Sequence, residues 1–190
     1  MQNFKSDSIS IIKPGSFSIS LFKDLMLIFT GSILIALSAQ VVIPFWPVPF
    51  SGQTFAVLLI GALLGSRKGA LSVISYISGG LMGLPVFAAG GFGILKLIGP
   101  TAGYIYGFIA AAFIIGWLLE CGWKENYLTV AAALLIGNLV IYAFGLSWLS
   151  NFISLNTLFT VGLFPFILGD LIKIVLAALS LQAINHFSKK

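Results

Sequence analysis

The sequence predicts an all-α integral membrane protein: one transmembrane domain over residues 1–190, with an N-terminal tail (1–21) and a six-helix transmembrane bundle (22–187). Three observations predict it. The chain is 59% hydrophobic and only 8% charged, against roughly a quarter charged for an ordinary soluble domain. Its fifteen charged residues leave long neutral runs, Leu25 to Ser66, Gly69 to Leu95, Leu97 to Leu119 and Asn126 to Gly169. Helices cross a bilayer economically with such runs because they satisfy their own backbone groups. The basic residues, finally, fall on one side. With a cytoplasmic N-terminus, the inside segments hold Lys5, Lys13, Lys23, Arg67, Lys68, Lys124, Lys189 and Lys190, and the outside loops hold only Lys96. This positive-inside pattern places both termini in the cytoplasm of a multi-pass cell-membrane protein.

A span needs about 20 apolar residues, and breakers divide the runs. The first twenty residues mix Ser with Ile and Phe around Lys13-Pro14-Gly15 and read as an irregular or interfacial tail. Helix 1 covers about Phe22 to Val42, ahead of Pro44, Pro47 and Pro49. Helix 2 covers about Gln53 to Ser66 and ends at Arg67-Lys68. Helix 3 runs from Gly69 to Leu84 and stops at Pro85. Sixteen residues rise only about 24 Å against a core of roughly 30 Å, so helices 2 and 3 are short. A glycine-rich outer loop follows, Pro85 to Pro100. Helix 4 covers Thr101 to Leu119, helix 5 Tyr127 to Leu146, and helix 6 Val161 to Phe187.

The same composition excludes most chemistry. Five carboxylates, one histidine and one cysteine leave no material for a Cys/His zinc cluster or a disulfide framework. The +5 net charge forms no basic patch interleaved with aromatics, so nucleic acid is not expected as a partner. Cys121 falls in a cytoplasmic loop, and His186, the single histidine, lies at the cytoplasmic end of helix 6 and reads as interfacial.

Asp170 and Lys173 stand apart. They lie three residues apart on helix 6, hence on one face, and each is costly at membrane depth unless paired or facing a polar cavity. An ion pair that only locks the bundle is the structural alternative. Asn138, midway along helix 5, needs a hydrogen-bond partner and reads either as bundle glue or as a ligand contact. The glycine-rich loop reads as a binding loop or as a re-entrant packing element. Glycines at spacing four (Gly61, Gly65 and Gly69; Gly79 and Gly83; Gly99, Gly103 and Gly107) read as close helix packing. Trp46, Trp117, Trp123 and Trp148 sit near span ends, as an interfacial belt does.

Several segments, in order, carry a family resemblance. They are Pro47-Val48-Pro49-Phe50-Ser51-Gly52-Gln53-Thr54, Leu64-Gly65-Ser66-Arg67-Lys68-Gly69-Ala70, Gly83-Leu84-Pro85-Val86-Phe87, Gly99-Pro100-Thr101-Ala102-Gly103-Tyr104 and Gly169-Asp170-Leu171-Ile172-Lys173. Together they resemble the BioY family. Ser51 stands where Thr is usual, Leu168 where Pro often precedes Gly-Asp, and Gly91 where some members carry Arg. The resemblance implies a biotin-binding substrate-capture subunit, the S-component of an energy-coupling-factor transporter. Its implied partners are biotin, the lipid bilayer, a transmembrane coupling protein and two ATPase subunits, with no cofactor and no enzymatic activity. It also implies a vitamin site near the outer face. Within that implication Asp170 accepts ureido N–H groups, and Lys173 meets the ureido carbonyl or the carboxylate. Asn138 is a polar contact, Phe92 and Tyr104 are walls, and Gln53 belongs to a lid or its hinge. An S-component for another small vitamin and an intramembrane enzyme are the competing readings.

Overall fold

Apolar runs become helices here because only a helix satisfies its own backbone in lipid. The computed structural model describes residues 14–188. The tail through Lys13 and the terminal Lys189-Lys190 lie outside the described residues, as does the side chain of His186. In order, the elements are α1 (Pro14–Gln40), β1 (Val42–Ile43), β2 (Phe50–Ser51), α2 (Gln53–Leu81), a 3-10 turn (Ala88–Gly90), α3 (Leu95–Ile98), α4 (Ala102–Glu120), a second 3-10 turn (Trp123–Glu125), α5 (Tyr127–Leu149), α6 (Leu155–Gly162) and α7 (Phe164–Ser188). Strands β1 and β2 pair antiparallel, Val42 with Ser51 and Ile43 with Phe50. Among the described residues, five helical stretches are long and apolar enough to cross a membrane: Ile19–Gln40, Gln53–Leu81, Ala102–Glu120, Tyr127–Leu149 and Leu155–Ile184.

Three boundaries differ from the sequence expectation. Helix α1 starts at Pro14 rather than Phe22, so part of the expected tail is already helical. Proline suits a first helical position because its missing N–H is not needed there. The expected gap at Arg67-Lys68 is absent, and α2 runs from Gln53 to Leu81 with one interruption at Gly65, at φ 81° and ψ 179°. That conformation is essentially glycine's alone, and it reverses the chain. A Cβ on Gly69 would lie 3.0 Å from the Cα of Gly61, although residues eight apart in one straight helix are separated by about 12 Å. The side chains of Gln53 and Tyr76 hydrogen-bond to each other. Residues 53–64 and 66–81 are thus two antiparallel halves, and the break lies two residues before the charges. Glu120, at the end of α4, holds the reversal: Ser66 donates its N–H to Oε1 at 2.8 Å and its hydroxyl to Oε2 at 2.7 Å.

The expected helix 6 begins at Val161, but a short helix, α6, already occupies Leu155–Gly162, and α7 starts after a break at Leu163. Pro165 accounts for it, since proline lacks the N–H and clashes with the carbonyl four residues back. The Phe166 N–H donates to the Leu163 carbonyl at 3.0 Å rather than to that of Gly162, which instead accepts from the Tyr104 hydroxyl at 2.7 Å.

Helix α4 is the centre. Buried residues make up 61% of its spanning window but only 11% of that of α1, so α1 lies at the edge. The small residues pack as expected. Gly61 lies on the backbone of Ala112, which a Cβ would meet at 2.8 Å, and Gly107 lies against the Cα of Ile141, which a Cβ would meet at 3.0 Å. Ile35, Leu58, Tyr76, Ile115, Leu134 and Ile141 fill the space between helices. The loops joining α1 to α2, α2 to α4 and α6 to α7 gather at one end, and the cavity opens there.

Candidate functional site

Asp170 lies on α7, 4% exposed. A lone carboxylate in that setting is costly, and three groups offset the cost. Lys173, one turn on, donates to Oδ1 at 2.9 Å, and Thr54 donates to the same oxygen at 3.2 Å. The Tyr142 hydroxyl donates to Oδ2. Lys173 also donates to Thr54 Oγ1 and to the Ser51 carbonyl, each at 2.8 Å. The Phe50 ring lies under the Lys173 ammonium with its centroid 4.0 Å away, a cation–π contact. Phe50 stacks on Phe166, centroids 6.0 Å apart and planes 10° apart. Gly169 is what lets that ring reach α7, since a Cβ there would fall on the Phe50 ring.

This network forms one wall of a cavity of about 420 Å³, within the range usual for small-molecule sites, roughly 300–1,000 Å³. Loop residues Trp46 to Ser51 cover one side, and Phe87, Ala88, Leu95 and Lys96 of the glycine-rich segment cover another. Tyr104, Ile105 and Phe108 of α4 with Ile141 of α5 make an apolar body. The arrangement can accept N–H donors at Asp170, donate to a carbonyl from Lys173, and enclose an apolar ring system. Lys96 is exposed at the rim, where it can meet an anionic tail.

Four of the six residues singled out from sequence meet at this cavity: Asp170, Lys173, Gln53 and Tyr104. Gln53 is buried; its Oε1 accepts from the Ser51 hydroxyl at 3.0 Å and its amide nitrogen donates to Tyr76. The Tyr104 ring lines the wall while its hydroxyl is committed to Gly162. Two are not brought to the cavity. Asn138 is buried one turn before Tyr142 on α5 and interacts with that hydroxyl, so it stands behind the site; its Oδ1 has no partner among the described residues. Phe92 is 59% exposed and outside the lining. Phe87 occupies the wall instead, its ring held against Tyr76 and over Gly80. Sequence reasoning missed Thr54, Tyr142, Phe50 and Phe166. Tyr142 was signalled only by its place one turn after Asn138, and Thr54 by its place beside Gln53.

Comparison with known proteins bears on this site. The model of the BioY family matches residues 8–190. The chain is 44% identical over 153 residues to a biotin transporter BioY of Thermotoga maritima, covering 80% of this chain and 88% of that one. It is 40% identical over 157 residues to a probable biotin transporter BioY of Pyrococcus horikoshii, covering 83% and 93%. The structure is similar to the crystal structure of the S-component for biotin from an energy-coupling-factor-type ABC transporter. The TM-score is 0.79 at 26% identity, over 93% of this chain and 95% of that one.

Proposed function

The chain belongs to the BioY family, and from that premise we propose that it is a membrane-embedded subunit that captures biotin for uptake. The observation that carries this reading is the Asp170–Lys173 pair set in the wall of an apolar cavity. Biotin's ureido ring has two N–H donors beside one carbonyl. Asp170 accepts from the donors and Lys173 donates to the carbonyl. The fused rings lie against Tyr104, Ile105, Phe108 and Ile141, and the carboxylate tail extends to Lys96. Gln53 holds the hairpin that roofs the site, Asn138 positions Tyr142, and the part of Phe92 as a wall passes to Phe87.

The two halves of α2 each cross the membrane, which makes six spans, with both termini cytoplasmic. Arg67, Lys68 and Lys124 lie at the end opposite the cavity, and the positive-inside bias supports an outward-opening cavity. The chain has no phosphate-binding G-x-x-x-x-G-K-[ST] sequence, so it cannot cradle ATP phosphates in that way. Active import therefore draws on a separate transmembrane coupling protein and two ATPase subunits.

Titrating the purified protein with biotin, followed by heat or tryptophan fluorescence, tests this reading. The expected result is saturable one-site binding that excess thiamine or riboflavin does not displace. Lys173→Ala is expected to weaken it roughly 10- to 100-fold, the range for a lost charged hydrogen bond. Folded wild-type protein giving no saturable signal would overturn it.

A further inference from the structure

The glycine-rich segment is fastened to the bundle from two sides. On one, Phe87 lies in a notch on α2. Its ring packs edge-on to Tyr76, centroids 5.4 Å apart, and over Gly80, where a Cβ would occupy the ring's place. Gly93 donates to the Gly80 carbonyl at 2.8 Å. On the other, a single side chain of α1 reaches across. Gln40, at the last turn of that helix, accepts from the Gly90 N–H through Oε1 at 3.0 Å. Its amide nitrogen donates to the Ala36 carbonyl of its own helix at 3.1 Å and faces the carbonyls of Pro85, Val86 and Phe87 at 3.4, 3.5 and 3.4 Å. Between these anchors, Ala89 is held at φ 57°, a conformation that non-glycine residues adopt only when their surroundings impose it. Phe87 and Ala88 line the cavity, so Gln40 grips the back of the wall that the ligand touches from the front.

We infer that Gln40 is a positioning residue that latches this wall to α1 and thereby sets how fast a ligand enters and leaves the cavity. Helix α1 is the least buried of the spanning helices among the described residues. The latch therefore ties the wall's position to the most peripheral of the spanning helices. A side chain that holds a gate, without touching the ligand, changes both rate constants in the same direction and their ratio little. The ligand arm of this inference rests on the biotin-capture reading; the loop arm does not.

Two variants test it, Gln40→Ala and Gln40→Leu. Leucine keeps most of the side chain's bulk and removes both hydrogen-bonding groups. Hydrogen exchange in ligand-free protein is expected to speed up at Gly90 and Gly91 by about fivefold in both variants, the factor for one lost hydrogen bond. Biotin association and dissociation rates, by stopped flow, are both expected to rise by a similar factor with little change in their ratio. Unchanged exchange in either variant overturns the latch, whatever wild-type protein binds. Faster exchange with unchanged rate constants overturns its gating role. If wild-type protein itself fails to bind biotin, the capture reading falls, and the exchange result still decides whether Gln40 holds the segment.

Discussion

Lys173 has three ammonium protons and three acceptors already in place: the Ser51 carbonyl, Thr54 Oγ1 and Asp170 Oδ1. To donate to a bound carbonyl it must release one of them. The Ser51 carbonyl belongs to the hairpin over the cavity, so engaging ligand and loosening that hairpin are linked. A binding pair and a merely structural pair differ in what replacement does. Removing one partner of a buried pair leaves an uncompensated charge, at a cost of about 3–5 kcal/mol, whereas replacing both by apolar residues is often neutral or stabilising. The double variant Asp170→Leu/Lys173→Met is accordingly expected to melt within a few degrees of wild type while losing biotin binding by about 100-fold or more. Wild-type affinity in that protein would reduce the pair to a structural lock. Thr54→Val removes a hydroxyl that serves both charges while keeping its shape. Binding about tenfold weaker, read by calorimetry, is the expected outcome. At this scale the sequence exposed the charges but not their partners. Asp170 and Lys173 stand out because the sequence sets them well inside a predicted span, away from the loops that hold most of the other charges. Thr54 and Tyr142 are ordinary residues until folding brings them against Asp170 from 116 and 28 positions away.

Among the elements, α2 depends most on one residue. The reversal at Gly65 needs a backbone that other residues occupy at about 1–3 kcal/mol or more. A Cβ there would also collide with the Glu120 carboxylate, which caps the second half of the helix. Gly65→Ala therefore carries two penalties, strain and a broken clasp. Gly79, further along the same element, is open by comparison: a Cβ there would meet only the end of Leu84, at 3.4 Å. Alanine there gains helix propensity, worth about 1 kcal/mol. Thermal unfolding in one detergent is expected to show Gly65→Ala clearly destabilised and Gly79→Ala unchanged or improved. Equal melting temperatures would show that the turn is not held by glycine's freedom. The break itself was legible in sequence, but its position was not. Charges mark helix ends, which pointed to Arg67-Lys68. The choice of Gly65 over Gly69 is made by Glu120, which holds Ser66 from 54 residues away, and by the need of Gly69 to lie against Gly61. The division of α6 from α7 was readable from Pro165 alone, though a continuous apolar run obscured it.

On the scale of the whole molecule, the two ends of the bundle differ in charge. One end carries Arg67, the Asp24–Lys68 pair at 2.6 Å, Glu120 and Lys124. At the other, the cavity opens with Lys96 as the cation at its rim. A cation where an anionic solute arrives attracts it, and a basic cluster on the opposite side favours one orientation. The chain provides its own probe of this arrangement. Its single cysteine, Cys121, is exposed and lies next to Glu120, at the end away from the cavity. In intact cells a membrane-impermeant maleimide is expected to leave Cys121 unmodified, and to modify it in inside-out vesicles. In a Cys121→Ser background, Lys96→Cys is expected to react in intact cells, and saturating biotin to slow that reaction because the ligand's tail covers the rim. Labelling of Cys121 from outside would invert the topology. It would place the cavity, and the capture step with it, on the side where an uptake protein should release its vitamin.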